Sequence, residues 1–247
     1  MKFLTKQEFE NLLSKLCMNK NKSVNNQNKE KIEKIFYETS QIIQHLCKVN
    51  SLNHSTYGIS MTLFHYYIAI NNYHNIDKYE LAFACFYMSS KIQMINLSIK
   101  EIIKKYNEYI KNKFGNEKKP EPDFVKYEIQ LYSQLGYDLD FETPYDNYYK
   151  FVGVFLNKFP LMKKEEKIKK LKCLCFNLID DTYQRPFSIY FHPKIIFLGC
   201  FIFSIKFLEF NECNDIEKII EGENVDLIGE CMEYINDIYD KYIENSN

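Results

Sequence analysis

The chain has 247 residues, is 46% apolar, and carries a formal net charge of −1 from 32 Lys and Arg against 33 Asp and Glu. That length holds one large domain or two modules near the size at which a core becomes self-sufficient, and the composition excludes disorder across the bulk of the chain. The near-neutral balance argues against nucleic acid as the main partner, since phosphate binding draws on a basic excess. Only seven Gly and six Pro favour long helices over turn-rich β architecture.

Thr5-Lys6-Gln7-Glu8 has the form of a capping box, and Phe9, Leu12, Leu13 and Leu16 then give one apolar stripe, so a short amphipathic helix is predicted over 5–17. Residues 18–30 are rich in Asn and Lys and read as a linker or insertion. The stripe resumes with Ile32, Ile35, Phe36, Ser40, Ile43 and Cys47, a helix over about 29–48. His54 to Ile70 is next, with Tyr57, Met61, Phe64 and Tyr67 facing inward. Asp77 opens a cap-like start to an apolar helix over 81–94, and 97–113 follows with Ile99, Ile102, Ile103, Tyr106 and Ile110 in helical register. After a polar break at 115–122, a helix over 124–135 ends at Gly136, where a left-handed cap is expected.

Thr143-Pro144-Tyr145 starts a new helix, because Pro suits a first turn. Residues 164–182 form another, with Ile168, Leu171, Leu174, Cys175, Leu178 and Ile179 on one side. The aromatic loop 183–191 reads as packing for the second module. Helices from Pro193, over 214–221 and over 225–244 complete the chain, and no strand is predicted. Two runs, Leu81 to Lys91 and Pro193 to Lys206, are apolar around nearly the whole circumference, so each is expected to be the buried centre of its own bundle. An all-helical module is thus repeated twice.

The eight cysteines are scattered, several inside apolar runs, which fits reduced core thiols in a cytosolic or nuclear protein. Cys173-Leu174-Cys175 is too tight and isolated for a zinc site, so no metal is implied. No signal-peptide core follows Met1, and the apolar stretch 195–205 is shorter than the ~20 residues a membrane span needs. The five histidines lie far apart and have no neighbouring Ser or Cys/Asp arrangement, so none is read as catalytic.

Several stretches resemble the cyclin family. Ala82 to Ile92 (AFACFYMSSKI) is similar to the cyclin-box run that leads to Ala/Ser-x-Lys-Val, and Glu128 to Leu139 (EIQLYSQLGYDL) resembles the family's fifth helix. Thr143-Pro144-Tyr145 is similar to the opening of the second box in the transcriptional branch. Asp180-Asp181-Thr182-Tyr183, followed by Tyr190-Phe191-His192-Pro193, resembles a pattern of cyclins C and H, and Phe3 to Phe9 is similar to that branch's N-terminal helix. The resemblance covers about 30–245. It departs from the family at Gln93 and Met94, where acidic residues often stand, and at Ile32 to Phe36, which lacks the hydrophobic docking motif of cell-cycle cyclins. No Arg-x-x-Leu destruction signal is present. These departures favour a transcriptional or kinase-activating cyclin.

The resemblance implies an all-α tandem cyclin fold: an N-terminal helix and linker at 1–28, a first box at 29–141 and a second at 142–247. It implies a non-catalytic subunit that docks on a cyclin-dependent kinase and holds its regulatory helix inward, without a cofactor, direct nucleic-acid contact or membrane. Lys91 and Glu128 would be the polar anchors of that contact, flanked by Phe86, Ile92, Ile99 and Tyr132. A third, assembly-type subunit is a further expectation for a cyclin H-like protein. Control of transcription and the cell cycle from the nucleus follows, with the cytoplasm also open. The rival readings are a general transcription factor built on tandem cyclin repeats, which wants a basic face and a zinc ribbon, and a kinase-independent helical adaptor.

Overall fold

The computed structural model describes residues 3–16, 26–71, 76–115, 123–158, 165–209, 220 and 222–244. Among them are ten α-helices: α1 (Lys6–Lys15), α2 (Asn26–Val49), α3 (His54–Ile70), α4 (Lys78–Ile92), α5 (Ile99–Phe114), α6 (Val125–Gln134), α7 (Pro144–Lys158), α8 (Glu165–Thr182), α9 (Pro193–Phe207) and α10 (Val225–Glu244). A 3₁₀ turn covers Pro186–Ile189, and the described residues contain no strand. The expected helix at 214–221 lies outside the described residues except at position 220, as do Cys17, His74 and Cys213. The expected linker is shorter than its composition suggests, because α2 already begins at Asn26.

The helix ends follow local chemistry. Thr5 and Glu8 form the reciprocal capping box: the Thr5 Oγ1 accepts from the Glu8 N–H, and the Glu8 carboxylate accepts from the Thr5 N–H at 2.7 Å. Asp77 Oδ1 accepts from the Tyr79 and Glu80 amides to start α4. Gly136 follows α6 at φ +60, the left-handed position where glycine carries no Cβ penalty.

Two compact units result. The first comprises Met1–Phe141 with Gln184–Tyr190, the second Glu142–Tyr183 with Phe191–Asn247. In the first unit α4 packs on α2, α3 and α6, and every residue from Glu80 to Phe86 is buried. Hydroxyls pin α3 to α4: Ser60 bonds Ser89 at 2.6 Å, and Thr56 donates to Gln93 one turn away. The acids drawn into this unit are paired. Glu38 holds Lys78, and Glu80 meets Lys126 at 3.4 Å, as the cost of an isolated buried charge requires. In the second unit α9 packs on α7, α8 and α10, with every residue from Ile195 to Ile202 buried. Along α10, Ile228, Cys231, Ile235 and Ile238 are buried at alternating spacings of three and four, and the exposed Asp226, Glu233 and Asp240 lie off that stripe. Among the described residues, no helix is long and apolar enough to cross a membrane.

The loop read as packing for the second module belongs instead to the first unit. The 3₁₀ turn packs on α3, where Ser188 Oγ and His65 Nδ1 share a 2.8 Å hydrogen bond. Arg185 lies 3.8 Å from Glu33 of α2, and the Leu4 N–H donates to the Ile189 carbonyl at 2.8 Å. Contacts between positions this far apart in sequence leave no local periodicity to read.

The six described cysteines are free thiols, and all but Cys173 are buried. Burial pushes the Cys47 thiol up to about 12 and raises Cys85, Cys175, Cys200 and Cys231 as well. A raised pKa in the folded state means stability is fully present below the unfolded thiol value near 9.0 and is lost as pH rises above it. The slope approaches about 1.4 kcal/mol per pH unit for each such thiol. The guanidinium midpoint is therefore expected to be flat from pH 6 to 8 and lower at pH 10; an equal or higher midpoint at pH 10 would contradict this.

Candidate partner-binding site

The C-terminal end of α4 and the first turn of α6 bring Lys91 and Glu128 together, 37 positions apart in sequence. Lys91 Nζ donates to Glu128 Oε1 at 2.5 Å, with the lysine side chain 42% exposed and the glutamate 11%. Each charge suits its helix end, a cation in the last turn of α4 and an anion in the first turn of α6. The ammonium also lies 4.3 Å from the centre of the Tyr87 ring, a cation–π contact. Tyr87 packs edge-on against Phe124, the residue before α6, so rings buttress the pair from below. Tyr132 sits one turn beyond Glu128; burial first, then the Glu128 carboxylate, raise its phenol, with Lys91 opposing. An ammonium with protons to spare and a largely buried carboxylate can respectively cap carbonyls and accept N–H groups of a partner backbone.

The other expected site residues divide. Tyr132, Ile92 and Ile99 are half-buried, the last opening α5. Phe86 is 0% exposed. A side chain that presents no surface touches no partner, so its place is the core of α4, a correction to its expected role at the contact.

Four exposed apolar residues near the pair were not expected. Met94 is 93% exposed, and Val125, Ile129 and Tyr137 are also exposed. Val125 and Ile129 are four apart and flank Glu128 on α6, while the core side of that helix is filled by Tyr127 and Leu131. Tyr137 stacks on Tyr132 with ring centroids 6.4 Å apart. The sequence signal was present but unread: α6 carries more apolar residues than one buried face uses. Exposed apolar groups beside a partly buried ion pair are a composition that interaction surfaces share.

No family model and no curated protein matches this chain. Solved structures do. A chain in the CAK complex from Chaetomium thermophilum bound to ATP-gamma-S superposes with a TM-score of 0.64 at 12% identity, covering 96% of this chain and 76% of that one. A chain in the yeast TFIIK (Kin28/Ccl1/Tfb3) complex gives 0.66 at 14% identity, covering 95% and 96%. A chain in the yeast RNA Pol II CTD kinase CTDK-1 complex gives 0.70 at 13% identity, covering 97% and 73%. The fold is the tandem cyclin fold. Among the helices α2 to α6 of the first unit, Lys91 lies in the last turn of the third and Glu128 in the first turn of the fifth.

Met94 follows the last turn of this third helix at φ +57, with its N–H donating to the Lys91 carbonyl at 2.9 Å. Left-handed backbone costs a non-glycine residue about 1–2 kcal/mol. Met94→Gly is expected to raise unfolding stability by about 1 kcal/mol in a urea titration; no gain, or a loss, would show that the Met94 side chain contributes to the fold of the free chain.

Proposed function

We propose that this chain is a regulatory cyclin subunit that docks on the N-terminal lobe of a cyclin-dependent kinase and activates it. The observation that carries this is the Lys91–Glu128 pair, set among exposed Met94, Val125, Ile129 and Tyr137 on the first cyclin box. Support comes also from the neighbours, which are chains of complexes described as CAK, TFIIK and a polymerase CTD kinase. The proposed outputs are phosphorylation of the RNA polymerase II tail, of other kinases' activation loops, or both, controlling transcription and the cell cycle from the nucleus. The subunit itself contributes no catalytic group. It binds the kinase's active arrangement better than the inactive one and stabilises it by that difference, letting the kinase's own Glu reach the lysine that grips ATP phosphates. Lys91 and Glu128 anchor the contact, with Ile92, Ile99 and Tyr132 at its edge. A third, assembly-type subunit completes the proposed complex.

The test is co-purification of the chain with each cyclin-dependent kinase of its organism, followed by kinase assays on a polymerase-tail peptide and on a kinase activation loop. Binding and activation of one kinase is the expected outcome. Failure to bind any would overturn the regulatory reading and favour a kinase-independent adaptor.

A further inference from the structure

Among the described residues, the non-glycine positions with positive φ are Ser51, Met94, Tyr137 and Glu209. Ser51 and Glu209 are polar and exposed, as turn residues commonly are. Met94 and Tyr137 are large and carry apolar surface, yet they are 93% and 75% exposed. They stand just past α4 and α6, the two helices that hold Lys91 and Glu128.

The same device fixes the backbone at both. After α4 the Met94 N–H donates to the Lys91 carbonyl at 2.9 Å and the Ile95 N–H to the Ser90 carbonyl at 2.8 Å. After α6 the Gly136 N–H donates to the Ser133 carbonyl and the Tyr137 N–H to the Tyr132 carbonyl, each at 3.2 Å. These are the paired bonds of a Schellman cap, whose left-handed residue is usually glycine. At the end of α6 that residue is Gly136, but at the end of α4 it is Met94. Position 94 thus combines a backbone that glycine would hold at lower cost with an apolar side chain left in water. At 93% exposure, almost no internal packing offsets either cost. The neighbouring Gln93 differs, because its side chain accepts from Thr56 of α3 and so serves the fold. Tyr137 stacks on Tyr132, and the charges of Glu128 and Lys91 both act on the Tyr132 phenol. Tyr137 therefore belongs to the same patch as the ion pair.

Backbone strain that the free chain does not use points to a role in a complex. We propose that Met94 and Tyr137 are the apolar anchors of the kinase contact, and that Met94 enters an uncharged, apolar recess on the kinase. The inference rests on the regulatory-subunit reading above and names the chemistry by which one kinase is selected. Neither Gln93 nor Met94 carries a charge, so a kinase cation buried against them would lose its water without gaining a partner. An unbranched thioether chain instead fills an irregular apolar recess well. A cyclin-dependent kinase with a charged group at that place is discriminated against, which makes Met94 a specificity-determining residue.

The test measures stability and kinase affinity on the same variants of the full chain, with the kinase that the unaltered chain captures. Met94→Gly is expected to raise the urea midpoint and yet weaken capture about tenfold or more, as loss of one buried side chain would. Met94→Ala keeps the backbone cost and should lose about as much affinity. Met94→Leu should stay within about threefold of the unaltered chain, since it conserves volume and apolarity. Met94→Glu should bind more weakly than Met94→Ala, because it carries a charge into the recess. Tyr137→Asn, a side chain that tolerates left-handed backbone, should also weaken capture about tenfold. Unaltered affinity in Met94→Ala or Tyr137→Asn would overturn the proposal, and tighter binding by Met94→Glu would do so by placing a cation opposite. Sedimentation of the free chain tests a rival occupant: self-association abolished by Met94→Gly would assign the patch to a second copy and overturn the proposal. Failure of the unaltered chain to capture any kinase would overturn the regulatory reading and this inference together. Capture indifferent to residue 94 would overturn this inference alone.

Discussion

Lys91→Glu is expected to weaken kinase capture by about 2–5 kcal/mol, roughly thirty- to several-thousandfold, while changing the free chain's stability by only about 1–2 kcal/mol. The difference comes from solvent. In the free chain the lysine side chain is 42% exposed, so its attraction to Glu128 is screened and the pair behaves between a surface and a buried ion pair. The substitution sets two carboxylates side by side, but water and small side-chain movements relieve much of the repulsion. At a chain length of 247, each 1 kcal/mol moves the melting point by roughly 2–4 °C. In the proposed contact beneath a kinase lobe the same groups would be desolvated, and a misplaced carboxylate would face partner carbonyls with no water to relieve it. The charge-swapped double variant, Lys91→Glu with Glu128→Lys, separates the two effects. It restores an ion pair within the chain, so stability is expected to return. Kinase affinity is expected to stay low, because donor and acceptor now face the wrong partner groups. Affinity of Lys91→Glu equal to that of the unaltered chain, measured by titration calorimetry with the captured kinase, would remove both residues from the interface.

What could be read beforehand followed the range of the signal. The centres of the two bundles were legible because α4 and α9 are apolar on every side, a pattern contained within fifteen residues. Capping chemistry placed the starts of α1 and α4 for the same reason. Lys91 and Glu128 were legible only through family resemblance, since nothing local shows that positions 37 apart meet. Phe86 and Ile129 show the converse failure. Both are large apolar residues on helices, yet the first is wholly buried and the second 63% exposed. Composition says that each avoids water but not which of them the fold covers. The segment 184–190 was misassigned because its ties, such as Ser188 to His65, span 123 positions. An aromatic loop between two helices of one module looks as if it must pack there.

Gly199→Leu is expected to be among the most destabilising single changes in the second unit, costing about 3 kcal/mol or more and lowering the melting point by roughly 6–12 °C. Gly199 lies in the buried stretch of α9, where a Cβ would meet Cys231 Sγ of α10 at 3.1 Å, the Cys231 Cβ at 3.4 Å and the Ile235 Cδ1 at 3.7 Å. A side chain there has to push α10 away or leave its rotamer well, since protein interiors leave little unfilled space. Alanine tests the same contact more finely, because two opposed effects meet at one position. Replacing a mid-helix glycine gains about 1 kcal/mol of helix propensity, and the new methyl presses on the Cys231 sulfur. Gly199→Ala alone is therefore expected to be close to neutral. In a Cys231→Ala background the sulfur is gone, and the same change should stabilise by about 1 kcal/mol. The coupling between the two sites, measured as a double-mutant cycle in urea, is expected at about 0.5–1.5 kcal/mol, within the range for residues in contact. Additive effects would mean that α10 shifts to absorb the methyl at no cost, and the close approach of the two helices would then set nothing in the second unit.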